Sequence, residues 1–121
     1  MRLTVKSIQK YKDHQEEITD SMDDAQLQDD QECIVIFNKE DQMKFNMIQQ
    51  EAIITRNHQV LVIKINEKKS NQYETPYGKI VLDTYGEQME VTKNPFHVFL
   101  RYRLFFPSVE EYENVVEITE G

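Results

Sequence analysis

The chain has 121 residues, of which 39 % are hydrophobic and 10 % aromatic, a composition typical of one globular domain and not of a disordered segment. It contains no apolar run long enough to span a bilayer, its first residues lack the apolar segment of a secretory signal, and a lone Cys33 cannot form an internal disulfide. We therefore expect a single domain over residues 1–121, a cytoplasmic location and no membrane insertion.

The net charge of −8 is concentrated in one segment. Residues 13–32 hold nine acidic residues and neither Lys nor Arg, so the rest of the chain is close to neutral. Self-repulsion in such a stretch favours a solvated, flexible acidic loop near the N-terminus. The segment lacks the glycine and the regular Asp-x-Asp spacing of a calcium loop, and its charge would repel a nucleic-acid backbone. We expect neither a metal site nor nucleic-acid binding.

Most of the remaining chain alternates or clusters apolar residues as β-strands do. The first run, Leu3 to Ile8, slips phase at Ile8, which predicts a β-bulge. The later runs predict further strands: 33–37, 43–47, 52–56, 59–66, 79–85, 88–93, 96–106 and 115–119.

Turn-forming residues separate these runs. Asn57-His58 predicts a two-residue hairpin loop, and Gly86-Glu87 predicts a second hairpin with glycine at the first central position. Thr75-Pro76-Tyr77-Gly78 fits a type I turn, since proline suits its second position and glycine its fourth. Ser108 to Glu111 matches a capping box that would open one helical turn. Eight or nine short strands with hairpin-length links and no long helix predict an all-β, antiparallel barrel or sandwich.

The stretch from Ala52 to Thr119 resembles the YwiB-like family of uncharacterised bacterial proteins. The resemblance is strongest in residues 60–63, in the turn region Tyr73 to Gly78, and in Leu82 and Thr84. It implies a small antiparallel calycin-like β-barrel, similar in architecture to lipocalins, and it transfers no catalytic residue. Family members carry an additional apolar strand where residues 66–72 form a polar link here, so the comparison predicts that a strand is missing beside the turn.

The run from Phe96 to Phe106 is the strongest local constellation. Its even positions are all apolar or aromatic and are expected to face the core. Its odd positions place Arg101 and Arg103 among His97, Phe99 and Phe105. Three interpretations stay open for this mixed face. The arginines lie flat on neighbouring aromatic rings or pair with acids such as Asp83 and Glu117, they lie at a contact with another protomer or protein, or they anchor an anionic ligand at the barrel mouth or lumen.

The function most consistent with these features is non-enzymatic binding of a small amphiphilic or apolar ligand. The predicted ligand-binding residues are Tyr73, Tyr77, His97, Arg101 and Arg103. The alternative is a protein-interaction or regulatory module, including a homodimer, that uses the aromatic and arginine face or the acidic segment. Neither a nucleophile with its base nor a metal-ligand spacing emerges, so we expect no catalytic residues and no cofactor.

Overall fold

The computed structural model describes residues 1–56, 58–106 and 111–121. Within these ranges the chain forms eleven β-strands in two antiparallel sheets, which confirms the all-β prediction. The strands are β1 (Leu3–Lys10), β2 (Gln15–Met22), β3 (Gln26–Asp30), β4 (Cys33–Phe37), β5 (Gln42–Asn46), β6 (Glu51–Arg56), β7 (Gln59–Lys64), β8 (Lys68–Thr75), β9 (Gly78–Lys93), β10 (Phe96–Phe105) and β11 (Tyr112–Glu120).

Sheet A has six strands in the order β2-β1-β11-β10-β9-β8, and sheet B has five in the order β3-β4-β5-β6-β7. Among the described residues the hydrogen-bonded ladders thus form two sheets. Within the described residues these ladders do not close into the single barrel of eight or nine strands that the sequence predicts. The inner faces of the two sheets share the core, because side chains alternate along each strand.

The inward face of β10 is as predicted. Its even positions from Phe96 to Leu104 are buried, whereas the odd positions between them are exposed or half-buried. The buried even positions belong to one hydrophobic core with buried side chains of sheet B, of which Ile34, Ile36, Phe45 and Ile63 are at most 1 % exposed.

The acidic segment is not a loop, contrary to the prediction. Most of residues 13–32 lie in β2, an edge strand of sheet A, and in β3, an edge strand of sheet B. Seven of the eight residues of β2 are exposed, so its side chains show no apolar alternation that a sequence pattern could detect. Charge on exposed edges opposes edge-to-edge aggregation. The repulsion among the acidic side chains of this segment is partly offset by the ion pairs Lys6–Glu17 (3.3 Å) and Lys93–Asp29 (2.9 Å).

The prediction of a missing strand beside the turn is wrong, because β8 is present there and its first half lies in the polar link of residues 66–72. Gly86-Glu87 is not a hairpin, since β9 runs without interruption through it. Its pairing with β10 shifts there, from Arg101↔Gln88 to Tyr102↔Gly86, which makes Glu87 the extra residue of a β-bulge. A Cβ on Gly86 would lie 2.7 Å from the carbonyl oxygen of Lys64, so glycine permits a close approach of two backbones.

The turn after β8 forms where it was predicted. Thr75 pairs with Gly78 across the two-residue loop, and Gly78 adopts a φ of +119° that a side chain would disfavour. The Thr75 hydroxyl accepts a hydrogen bond from the N–H of Tyr77 (3.2 Å) and donates one to the carbonyl of Gly78 (2.7 Å). No bulge occurs at Ile8, because β1 pairs in uninterrupted register with β11 and β2.

Two further sequence predictions fall partly on residues that are not described. Arg56 pairs with Gln59, as the two-residue hairpin loop requires, whereas Asn57 in that loop lies outside the described residues. In the predicted capping box, Ser108, Val109 and Glu110 lie outside the described residues.

Two corners join the sheets. At one corner, Met1 and Ala25 exchange backbone hydrogen bonds of 2.9 and 2.8 Å where the chain passes from β2 to β3. At the other, next to the edge strands β7 and β8, the Asn66 N–H donates to the Gly86 carbonyl (2.8 Å), and side-chain amides take the place of a continuous ladder. Asn71 accepts from the N–H of Val62 (2.8 Å) and donates to its carbonyl (3.2 Å). Gln59 makes the same pair of bonds with the backbone of Glu74 (3.0 and 2.8 Å).

Candidate ligand-binding site

A cleft of about 260 Å³ lies between the two sheets. Sheet A contributes residues of β1, β8, β10 and β11, and sheet B contributes residues of β5, β6 and β7. Its walls are the apolar side chains of Val5, Met43, Ile54, Leu61 and Val116. Its polar lining consists of Ser7, Gln9, Arg56, Gln59, Tyr73, Tyr102 and Asn114.

Three of these polar residues form a row across the inner face of sheet A. Gln9 and Tyr102 are the cross-strand neighbours of Asn114 on its two sides. Tyr102 is 4 % exposed and Asn114 is 7 % exposed. The Asn114 Nδ2 donates to the Tyr102 hydroxyl at 2.8 Å, whereas the Asn114 Oδ1 is buried and has no hydrogen-bond partner among the described residues. A buried acceptor without a partner is costly in a folded protein, so this atom is available for a ligand that donates to it.

The Tyr102 hydroxyl is held in its protonated form. Burial removes water from the phenolate and raises the pKa of Tyr102 to about 12, against the smaller lowering effect of the Asn114 hydrogen bond. Since the hydroxyl oxygen accepts from Asn114, its own proton is oriented elsewhere. The Tyr102 and Asn114 pair thus offers one donor and one acceptor in neighbouring positions.

The charged side chain that lines the cleft, Arg56, is paired with two carboxylates that line the neighbouring depression. The Arg56 guanidinium lies 3.2 Å from a carboxylate oxygen of Asp20 and 3.5 Å from one of Asp41. The pKa of Asp20 is lowered, first by the N–H of Ser21 and then by Arg56. One cation therefore faces two carboxylates, of which at least Asp20 favours the ionised form.

Two larger depressions are poorer candidates. One, of about 720 Å³, borders the same Arg56 and is lined largely by carboxylates and polar groups between β2 and residues 37–41. The other, of about 610 Å³, lies over charged and tyrosine side chains of β1 and β11 and the adjoining residues. Ligand sites are usually concave and mainly apolar with a few placed polar groups, a description that fits the inter-sheet cleft better.

Of the predicted site residues, Tyr73 is the one that the structure places at the cleft. It lies on β8 and is 37 % exposed. Tyr77 is fully exposed at the tip of the hairpin between β8 and β9. His97 lies on the outer face of sheet A, with its Nε2 3.3 Å from a carboxylate oxygen of Glu117.

Arg101 and Arg103 also lie on the outer face of sheet A, away from the space between the sheets. The Arg103 Nε donates to Glu87 at 2.6 Å, and its Nη1 donates to Glu111 at 3.2 Å. The hydrogen bond to Glu87 is the main reason that the pKa of Arg103 is raised. Arg101 Nε lies 3.7 Å from Glu87 and 3.6 Å from Glu113. These carboxylates, and not Asp83 and Glu117, are the partners of the two arginines.

Sequence reasoning missed Ser7, Gln9 and Asn114. The odd positions of β1 run Leu3, Val5, Ser7 and Gln9, and all four face inward once the strand is regular. An assumed bulge at Ile8 hid this pattern. The predicted strand 115–119 begins one residue after Asn114 and therefore left it out. Asn114 lies two residues before Val116 and four before Ile118, and alternation along a strand places all three on the same inner face.

The described part of the chain contains no cluster of three or more His, Cys, Asp or Glu side chains arranged to hold a metal ion. Nor does it contain a helix long and apolar enough to cross a membrane.

Comparison with known proteins identifies the family. A family model described as "Domain of unknown function (DUF1934)" matches residues 3–118, and the chain belongs to this uncharacterised, YwiB-like family. The structure is similar to the crystal structure of the ywiB protein from Bacillus subtilis, with a TM-score of 0.75 and 14 % sequence identity over 99 % of this chain and 90 % of that chain. At this identity the likeness establishes the fold. No curated protein matches the chain.

Proposed function

We propose that the protein binds a small amphiphilic or apolar ligand in the inter-sheet cleft and does not act on it chemically. The observation that carries this proposal is the Asn114 Oδ1, a buried acceptor that lines the cleft without a hydrogen-bond partner among the described residues. A donor group on a ligand would satisfy it and remove its desolvation cost.

The shape of the cleft supports the same function. Apolar side chains from both sheets provide walls for a hydrocarbon body, and the polar row of Gln9, Asn114 and Tyr102 marks one region of the lining. A volume of about 260 Å³ is close to the lower end of the usual range of ligand pockets, roughly 300 Å³. The cleft therefore suits a small molecule better than a long-chain lipid.

The two corners support the view of the sheets as halves of a lipocalin-like container. The Met1–Ala25 bonds close one side, and the amides of Asn71 and Gln59 close the other without a continuous ladder. Side-chain closure holds the sheets together while leaving the region around Tyr102 and Leu61 unfilled. A calycin-like arrangement of this kind is the geometry that the binding proposal requires.

The ionisable lining favours binding over catalysis. The titratable side chains that line the cleft are Arg56, Tyr73 and Tyr102. Arg56 is paired with Asp20 and Asp41, and Tyr102 keeps its proton far above neutral pH. General acid–base catalysis works best when the pKa of the catalytic group is near the operating pH, and the pKa of Tyr102, about 12, does not meet that condition.

The test is native mass spectrometry of the purified protein, followed by two-dimensional NMR titration with small amphiphiles. We expect a bound mass or, after its removal, chemical-shift changes confined to cleft residues such as Leu61 and Tyr102. Asn114→Leu should reduce those changes, whereas Tyr85→Phe should not, since Tyr85 pairs with Arg103 on the outer face of sheet A. The absence of both a bound mass and cleft shifts with any amphiphile would contradict the proposal.

A protein-interaction role is the second candidate, and one observation favours it. β2 is exposed on both faces, and its Ile18 side chain is 52 % exposed. An uncovered edge strand can accept another strand. Sedimentation equilibrium of the native chain and of Ile18→Lys tests for a homodimer. A concentration-dependent mass that the substitution abolishes would support it, and a monomer at all concentrations would contradict it.

A further inference from the structure

We infer that the ligand of the cleft is uncharged and presents a hydrogen-bond donor next to an acceptor, as an amide-like group does, to Asn114 and Tyr102. This inference rests on the proposed binding function and specifies the chemical class of the ligand. It follows from the hydrogen-bonding inventory of two buried side chains and from the charge next to the cleft.

The buried pair leaves an acceptor, the Asn114 Oδ1, and a donor, the Tyr102 hydroxyl proton, without a partner among the described residues, and the second N–H of Asn114 Nδ2 is a further donor. Asn114 uses Nδ2 to donate to the Tyr102 oxygen, so the Asn114 Oδ1 is left as an acceptor. The Tyr102 hydroxyl accepts that bond and keeps its own proton to donate. Both residues are more than nine-tenths buried and line the cleft. A ligand group with a complementary N–H and C=O on adjacent atoms satisfies both at once.

The conclusion does not depend on which terminal atom of Asn114 is nitrogen. If the amide is turned over, Tyr102 donates to the Asn114 oxygen, the amide nitrogen becomes the unused donor, and the Tyr102 oxygen becomes the unused acceptor. In both orientations the pair shows at least one donor and one acceptor to the cleft. A carboxylate brings acceptors without a donor, and an ammonium brings donors without an acceptor, so each satisfies half of the pair.

The charge next to the cleft gives an anion no free partner. Arg56 is the charged side chain among the residues that line the cleft, and its guanidinium is already paired with Asp20 and Asp41. Arg101 and Arg103, the two arginines predicted to anchor an anionic ligand, lie on the outer face and are paired with Glu87 and other acids. An anionic head in the cleft would therefore lose its hydration without gaining an unpaired counter-ion.

Four amphiphiles with the same alkyl chain and different head groups test this inference: octanamide, octanoate, octylammonium and 1-octanol. Each is titrated at pH 7 into the native protein, and dissociation constants are taken from chemical shifts of cleft residues. We expect octanamide to bind at least about tenfold more tightly than octanoate, since at least one buried group stays unsatisfied with the anion. The hydroxyl of 1-octanol can donate and accept and should rank second.

Variants assign the contacts. Tyr102→Phe should weaken octanamide binding by about tenfold and reduce its preference over octanoate, and Asn114→Leu should do the same. Tyr85→Phe is the matched loss of a hydroxyl from the outer face and should leave both affinities unchanged. Circular dichroism establishes that each variant is folded, and the comparison of head groups on the native protein stands even if one variant is not.

The outcomes separate this inference from the proposed function. If octanoate or octylammonium binds the cleft as tightly as octanamide, the inferred ligand class is wrong while the binding function stands. If none of the four amphiphiles changes the spectrum of the cleft, and no bound mass is found in the purified protein, the binding function itself fails. If octanamide binds best and Tyr102→Phe abolishes its advantage, both are supported.

Discussion

The corner formed by Asn71 should be a major contributor to stability. Asn71 is 6 % exposed and uses its amide to hold the N–H and carbonyl of Val62, an edge residue of sheet B. Asn71→Ala leaves the N–H of Val62 without its acceptor, at a cost of about 1–3 kcal/mol, and removes bonds with net contributions of about 0.5–1.5 kcal/mol each. The carbonyl of Val62 keeps its 2.6 Å bond from the Thr84 hydroxyl, which limits the loss. We expect the free energy of unfolding to fall by about 2–4 kcal/mol.

Gln59 provides the matched control. It makes the same pair of backbone bonds, to Glu74, but although Gln59 is half-buried these bonds are solvent-exposed, so water can replace them. Gln59→Ala should cost less than about 1 kcal/mol. With an unfolding entropy of about 2.1 cal/mol/K per residue, a chain of 121 residues loses about 4 °C of Tm per kcal/mol. The Asn71 variant should therefore melt about 8–16 °C lower, and the Gln59 variant less than about 4 °C lower.

Urea and thermal unfolding followed by circular dichroism measure both variants. Asn71→Leu keeps most of the side-chain volume, so it separates hydrogen bonding from the loss of packing. If Asn71→Ala and Gln59→Ala lose similar stability, the buried amide is not the element that joins the sheets. If Asn71→Leu is as stable as the native protein, packing and not hydrogen bonding holds this corner.

Three further predictions concern other parts of the molecule. Gly86→Ala places a Cβ 2.7 Å from the Lys64 carbonyl oxygen and should cost about 1–3 kcal/mol by overpacking; an unchanged urea midpoint would show that β9 can move away. Asp13→Asn should lower the pKa of His14, since the hydrogen bond to Asp13 is the main cause of its raised value; the His14 ring protons report it by NMR. The stabilisation from a raised histidine pKa is present below about pH 6.5 and disappears as the pH rises through the folded pKa. Because the pKa of Tyr102 is about 12 in the folded state against 10.0 for an ordinary tyrosine, stability should fall as the pH rises from about 10 to 12, where the unfolded chain ionises first; an equal slope in Tyr102→Phe would contradict this assignment.

Local patterns predicted the central part of the fold well. The alternation along β10 identified which side chains face the core, because each of its inward positions is apolar or aromatic. The turn at Thr75 to Gly78 was predictable because proline fixes φ and glycine permits the positive φ that the turn needs. The acidic edge strands β2 and β3 were not predicted, because a strand exposed on both faces has no alternation of apolar and polar residues. Gly86 was assigned to a turn because a glycine that permits a close backbone approach looks, in sequence, like a glycine that permits a turn.

The candidate site was less accessible to sequence reasoning. Tyr73 was predicted and lies at the cleft, whereas Arg101 and Arg103 were predicted on their residue type and lie on the outer face. Asn114 and Gln9 are individually unremarkable polar residues. They form a candidate site because the register of three strands places them beside Tyr102. Register is a property of pairs of strands, and a single sequence does not contain it.

The sequence by itself determined the all-β class, the inward face of β10 and the turn after β8, because each depends on local backbone preferences or short-range alternation. The YwiB-like resemblance came from matching residues and not from such patterns. For the described residues, the tertiary structure alone decided that the strands form two sheets, that amides at Asn71 and Gln59 help to join them, and that a cleft remains beside an Asn114 Oδ1 without a partner. Those features depend on which distant residues meet, and a buried hydrogen bond is made or left unmade only when its environment is complete.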